Sequence, residues 1–314
     1  MKFKLLLGII LLLLLATMLC ACANGWAQVE INEDATLDQT DEAIQTETPT
    51  ELPLVINTST FLSQEELQRR LPVDNETLSQ TASQKNIRAL VIPHHTLAAN
   101  LAAQGIRTLV KQNPSVIVLI GPNHKNIGPK AATTKAVWDA GQGTLQTDTV
   151  AVDELLKQNL AEQDDNLFKT EHSIGALIPI IAHYLPKTKV IPIVYYYRYD
   201  QETILQTLKQ LIKSLPDDAV IIASIDFSHG LTLQKAQEKD QVTAERLKDW
   251  DEKAIADADN TYLDSPTILA ALMQYLRETD SQDLKIIANT NSGKIMQDSQ
   301  MICTSYFVLK YASE

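Results

Sequence analysis

Residues 91–124, VIPHHTLAANLAAQGIRTLVKQNPSVIVLIGPNH, constrain the fold more than any other stretch. An apolar run ends in Pro93-His94-His95. A segment with helical spacing follows, with Leu97, Leu101, Ile106, Leu109 and Val110 on its apolar side. A second apolar run, 116–120, then ends in Gly121-Pro122-Asn123-His124. A strand–helix–strand unit of this kind makes a crossover that returns the chain in its original direction, so both strand ends emerge on one sheet edge. Histidines far apart in sequence become neighbours at the edge where open α/β sheets bind their ligands. His94 and His124 are therefore the first candidates for a metal-ligand pair. Taken singly, each would more simply cap a turn through its ring nitrogens.

The alternation continues along the chain. Residues 87–92, 116–120, 190–196, 219–225, 285–289 and 301–309 read as strands. Residues 61–71, 97–112, 150–159, 174–184, 204–215 and 265–276 read as helices, and the charged stretch 235–256 as one helix or two. The uninterrupted apolar run 116–120 suits a strand covered on both faces. Residues 131–148, with Trp138, Gly141, Gly143 and Asp148, read as a loop or hairpin over the sheet edge. With no internal repeat and no second boundary, residues 53–314 are expected to form a single three-layer α/β domain with a mostly parallel central sheet. That length is ample for a substantial core.

The start of the chain reads as an export signal. Lys2 and Lys4 precede a run without charge from Leu5 to Ala23. Leu19-Cys20-Ala21-Cys22 resembles a lipoprotein signal with Cys22 as the lipidated residue, Ala21-Cys22-Ala23 resembles a cleavage site, and the run is nearly long enough to remain as a membrane anchor. Each route implies an extracytoplasmic domain, membrane-anchored or secreted. Residues 24–52 are acidic and threonine-rich, with little apolar content to offset the entropy of ordering, and read as a disordered linker. Two of the three cysteines lie in the apolar run, so Cys303 has no partner for an intrachain disulfide and reads as a buried core thiol. A net charge of −12 argues against a nucleic-acid partner, which would want a basic face. Membrane contact is expected through the N-terminal segment only, and the ligand is a small molecule or a peptide of unspecified kind.

Five of the six histidines, His94, His95, His124, His172 and His229, fall near strand ends or helix starts. His183, inside an apolar helix, reads as structural. Adjacent side chains rarely bind one ion, so either His94 or His95 points elsewhere. Asp226 and His229 close a third strand; the pair suits acid–base work, or Asp226 caps the next helix. Glu171 and His172 open a helix, where they either orient metal ligands or serve the helix start alone. No G-x-S-x-G and no P-loop occurs, and Gly141-x-Gly143 lacks the rest of a dinucleotide fingerprint.

Pro93-His94, Gly121-Pro122-Asn123-His124, Glu171-His172-Ser173-Ile174 and Ser224-x-Asp226-Phe227-Ser228-His229 occur in the order seen in the Memo family, called AmmeMemoRadiSam system protein B in bacteria. The chain resembles that family from Ile87 to its end. Residues 138–148 resemble a further block, W-x-T-P-x-G-x-L-x-x-D, with Ala140-Gly141 in place of Thr-Pro. The resemblance implies the fold of the class III extradiol dioxygenases, which cleave catechol rings with Fe(II) held by two histidines and a carboxylate. It implies His94 and His124 as metal ligands, and His229 with Asp226 as the acid–base region. The third ligand position, a cysteine in animal members, falls in the block 260–266, which has none. Asp264 is the substitute there, giving a 2-His-1-carboxylate set suited to Fe(II), with Cu and Zn as alternatives. His95 stands where many members have alanine. The implied function is that of a metal-dependent, dioxygenase-like oxidoreductase, or of a non-enzymatic metal- or peptide-binding protein using the same pocket.

Overall fold

The structure is a computed structural model that describes residues 53–71 and 86–313. The expected export signal (residues 1–23) and the expected linker (24–52) lie outside the described residues. The described residues belong to one compact unit. Its strands are β1 (Val55–Asn57), β2 (Ile87–Ile92), β3 (Val116–Asn123), β4 (Ala131–Thr133), β5 (Val137–Asp139), β6 (Thr144–Leu145), β7 (Glu162–Gln163), β8 (Lys189–Tyr196), β9 (Val220–Ser224), β10 (Asp283–Asn291) and β11 (Ser305–Ala312). Its helices are α1 (Gln64–Arg70), α2 (Ala99–Arg107), α3 (Thr149–Lys157), α4 (Asp165–Phe168), α5 (His172–Gly175), α6 (Ile178–Tyr184), α7 (Gln201–Ser214), α8 (Leu233–Lys248), α9 (Glu252–Ala256), α10 (Pro266–Glu278) and α11 (Ser292–Met296).

Eight strands form one sheet in the order β10-β11-β2-β9-β3-β8-β4-β7. The four central strands, β2, β9, β3 and β8, are mutually parallel. Antiparallel β11 and β10 extend one side and antiparallel β4 the other. The pleat sends alternate side chains to opposite faces. Val91, Val118, Ile120 and Ile221 pack on one face with Ile204 and Leu208 of α7 and Leu269 and Leu272 of α10. Leu90, Ile117, Leu119 and Ile222 pack on the other with Ala102 and Ile106 of α2 and Ile178 and Ile181 of α6. Both faces are covered, which is why these strands are apolar throughout. The three-layer α/β expectation is met.

Several boundaries differ from the sequence expectation. β3 continues past Ile120 to Asn123; beyond Ile120 its partner is β8 alone, so Pro122 interrupts no ladder on the β9 side. Residues 174–184 divide into α5 and α6, because Pro179 has no N–H to give the Gly175 carbonyl. Residues 235–256 resolve into two helices, α8 and α9, with Trp250 between them at φ 52°. The last strand starts at Ser305, not Met301. Residues 131–148 contain a true hairpin, β5–β6, which β1 joins from the other side in parallel. Cys303 is buried as expected. Among the described residues, no helix is long and apolar enough to cross a membrane.

Candidate metal centre

The C-terminal ends of β2, β3 and β9 lie side by side, and the polar residues that follow them converge. His94 leaves β2 and is 2% exposed. His95 begins the next turn with extended backbone, so its side chain goes the opposite way, to the surface. His124 follows β3, and His172 starts α5. Gly121 permits this approach: a Cβ there would stand 3.0 Å from Ser173 and 3.3 Å from Ser224. The ring centroids of His94 and His124 are 4.9 Å apart, those of His94 and His172 5.2 Å, and those of His124 and His172 4.1 Å. One ligating atom from each of the three lies within 4.8 Å of the others.

Hydrogen bonds fix which nitrogen each of the first two histidines can offer. The Ser224 hydroxyl donates to the Ser173 carbonyl at 2.5 Å, so its oxygen is left to accept from His94 Nδ1 at 3.0 Å. His124 Nδ1 donates to Glu171 Oε1 at 2.8 Å. Both rings thus carry their proton on Nδ1 and keep the Nε2 lone pair free. The two Nε2 atoms face one carboxylate oxygen: Asp264 Oδ2 is 3.4 Å from that of His94 and 3.9 Å from that of His124. Asp264 also accepts the Asp226 N–H at 3.1 Å, and Asp226 accepts the His94 N–H at 3.1 Å. The Asp264 N–H donates to the Asp226 carbonyl, which ties the two loops together.

The electrostatics match a cation. Burial, then the neighbouring His124 and His172, hold His94 well below the ordinary imidazole value, and burial and His124 lower His172. Both are neutral donors. Burial alone would lower His124 as well, but the hydrogen bond and charge of Glu171, with Asp264 and Asp226, outweigh it and raise its proton affinity. Burial pushes the Asp226 and Asp264 carboxyls above the usual carboxylate range, and Asp226 repels the charge on Asp264. Asp264 Oδ1 is buried without a partner. Two buried carboxyl groups and three imidazoles, with no Lys or Arg ion-paired to them among the described residues, make a donor set that a divalent ion fits.

A family model described as "Memo-like protein" matches residues 61–307. The chain belongs to the Memo-like family. Curated relatives of this Memo-like chain include MEMO1 family proteins of Caldivirga maquilingensis (29% identical; 57% of this chain, 66% of that one), Ignicoccus hospitalis (24%; 63% and 72%) and Methanocaldococcus jannaschii (25%; 59% and 68%). The matches span about two thirds of each relative's length. A solved structure of an uncharacterized protein from Escherichia coli K12 aligns with 70% of this chain and 99% of its own, at a TM-score of 0.45 and 12% identity.

In this Memo-like chain the residues expected from sequence come to lie as follows. His94, His124 and Asp264 meet. His172, expected to orient ligands, brings a third imidazole into the cluster itself. Glu171 lies behind it, accepting from His124 Nδ1, from the His124 N–H at 2.9 Å and from the Ser173 N–H at 2.9 Å. His229 joins the rim with Nδ1 unpartnered, while the Asn260 carbonyl supports its ring. His183 is exposed on α6 and belongs to neither the core nor the cluster. Sequence reasoning missed Ser224 as the partner of His94 and Tyr306 as the partner of His95. The signals for Ser224 were its place at the head of the Ser224-x-Asp226-Phe227-Ser228-His229 block and a hydroxyl closing an otherwise apolar strand, VIIAS; neither names His94 as its partner.

Glu171→Gln has two expected signatures. Hydrogen bonds of this kind to a ligating histidine typically contribute 10–100-fold to metal affinity, so Co(II) competition titrations should weaken by about that much. The Glu171 carboxyl is held at about 2, against the model-peptide value of 4.5, with burial opposed and outweighed by the bonds from His124 and Ser173. A depressed carboxyl stabilises fully above pH 4.5 and loses that contribution as pH falls toward 2, by at most about 3 kcal/mol. Urea unfolding of the metal-free protein across that window should show the loss, and the Gln variant should flatten it. Parallel curves for the two proteins would remove Glu171 from this role.

Proposed function

We propose that this Memo-like chain is a metal-dependent oxidoreductase resembling the class III extradiol dioxygenases. His94 and His124 would hold a divalent transition metal through Nε2, with His172 and Asp264 completing the set. Two imidazoles with a carboxylate suit Fe(II), and a third imidazole keeps Cu and Zn as alternatives. When bound, the ion would act as a Lewis acid and redox centre for a small-molecule ligand. The observation that carries this reading is the convergence of two Nε2 lone pairs, each set by a buried hydrogen bond, on Asp264 Oδ2.

The remaining chemistry falls to the chain's own groups. Glu171 and Ser224 orient the ligating rings. His229, with Nδ1 free and the Asp226 carboxylate acting on it, takes a proton from a hydroxyl of the bound molecule or returns one. The second reading is a non-enzymatic metal- or peptide-binding protein that uses the same pocket; the open, partly exposed His124–His172 side gives it room.

Purified protein reconstituted with Fe(II) under anaerobic conditions, then exposed to oxygen with catechols or thiols, separates the two. Oxygen consumption that disappears in His229→Ala, with iron content unchanged, is the expected result. Stoichiometric iron with no oxygen uptake would sink the oxidoreductase reading and leave the binding one.

A further inference from the structure

Asp264 is carried by the link between α9 and α10, residues 257–265. It is buried beside Asp226, whose charge opposes its own. The backbone tie between the two loops is one antiparallel bridge, Leu263 with Phe227, where the Asp264 N–H meets the Asp226 carbonyl at 3.0 Å. At the other end of the link, Arg198 donates to the Ala258 carbonyl at 2.8 Å. A single bridge between loops whose carboxyl groups repel calls for a further restraint near Asp264.

The helix α8 supplies one. Lys239 Nζ lies over the Tyr262 ring at 3.6 Å from its centroid, and the Arg246 guanidinium carbon at 4.7 Å. Both are within the range of attraction between a cation and an aromatic face. The two cations are seven residues apart, about two helical turns, so α8 presents them on one side. Among the described residues no salt bridge competes for either. Lys239 also acts on the carboxylate of Asp259, which opens the turn before Tyr262 by accepting the Thr261 N–H at 2.9 Å.

The facing loop is held by the same helix. Asp240, next to Lys239 and buried, accepts the Ser228 hydroxyl at 2.7 Å and the Asn289 side-chain N–H at 3.2 Å. Ser228 belongs to the loop that carries Asp226 and His229. One rigid element therefore grips both loops, which is how a site keeps two opposed carboxyl groups in place.

We propose that Tyr262 is a positioning residue: clamped by Lys239 and Arg246, it keeps Asp264 turned toward the Nε2 atoms of His94 and His124. The inference rests on the metal-binding reading above and adds to it the device that sets the carboxylate ligand. A partly exposed cation–π contact corresponds to a few-fold in an equilibrium, and two together to about tenfold.

The test measures Co(II) affinity by competition against a chromophoric chelator, together with the visible cobalt spectrum. Tyr262→Leu should weaken cobalt by about tenfold and move the spectrum toward that of Asp264→Ala. Tyr262→Phe, which keeps the ring, should stay near wild type. Lys239→Met combined with Arg246→Met leaves the ring in place; it should lose nearly as much as Tyr262→Leu, and it serves if that variant fails to fold. In an Asp264→Ala background these changes should have no further effect, because Tyr262 acts through that carboxylate. Unchanged affinity in Tyr262→Leu, an equal loss in Tyr262→Phe, or an undiminished loss in the Asp264→Ala background would overturn the proposal. A wild-type protein that takes up no cobalt would bring down the metal-binding reading, and this inference with it.

Discussion

Alanine at His124 is expected to lower the affinity of the chelator-stripped protein for a divalent transition metal by about 100-fold or more, and alanine at His94 by at least as much. Each change deletes one of two nitrogens whose lone pairs were set toward the same point, and a ligand contributes more than the groups that orient it, which themselves account for 10–100-fold. The two variants should differ in stability. His124 lies on the open side of the cluster with its side chain 28% exposed, so its removal leaves no void; the melting temperature should fall only by what the lost Nδ1 bond to buried Glu171 contributes, since the backbone N–H groups of residue 124 and Ser173 still donate to that carboxylate. His94 is buried and its loss strands the Ser224 hydroxyl oxygen and opens a small void, so that variant should also melt lower. Competition against a chromophoric chelator, with thermal melts alongside, measures both. Unchanged affinity in His124→Ala would remove the metal from this site.

Trp138→Ala is expected to destabilise the domain by about 3–5 kcal/mol, the range for truncating a large buried aromatic. Trp138 is 0% exposed on β5, packs edge-on against Phe168 at 6.1 Å and donates its indole N–H to Thr147 Oγ1 at 3.0 Å. Thr147 itself donates to the Ala136 carbonyl at 2.6 Å, so its hydroxyl stays bonded in the variant. The cost is therefore that of the cavity and not of an orphaned polar group. Denaturant titration should show a lower midpoint with little change in slope, while Co(II) affinity, set by His94 and His124, neither of which touches Trp138, should stay near wild type. A loss under 1 kcal/mol would mean that the hairpin carries little of the core.

How much of this was legible in the chain depended on the length scale of the cause. The apolar runs 87–92, 116–120 and 219–225 named the parallel strands because a doubly covered strand needs apolar side chains at every position, and the crossover rule then placed His94 and His124 together. Where a single residue controlled the backbone, pattern misled: Pro179 divides a continuous apolar stretch into α5 and α6, and His172 stands at the start of the shorter piece. Partnerships across long sequence separation were invisible. Nothing local tells Ser224 to hold His94, or Tyr306 to hold His95, since each pair meets only once the sheet has formed. Asp264 was found through family resemblance and not through its own neighbourhood, where a carboxylate before Ser265-Pro266 reads as an ordinary helix start.

The most direct measurement is an anomalous-difference map from crystals soaked in Co(II), collected on either side of the cobalt absorption edge. The expected result is a single strong peak about 2.0–2.3 Å from Nε2 of both His94 and His124, with Asp264 or His172 as the next neighbour. A map with no peak between those two nitrogens, at saturating cobalt and neutral pH, would contradict the metal centre.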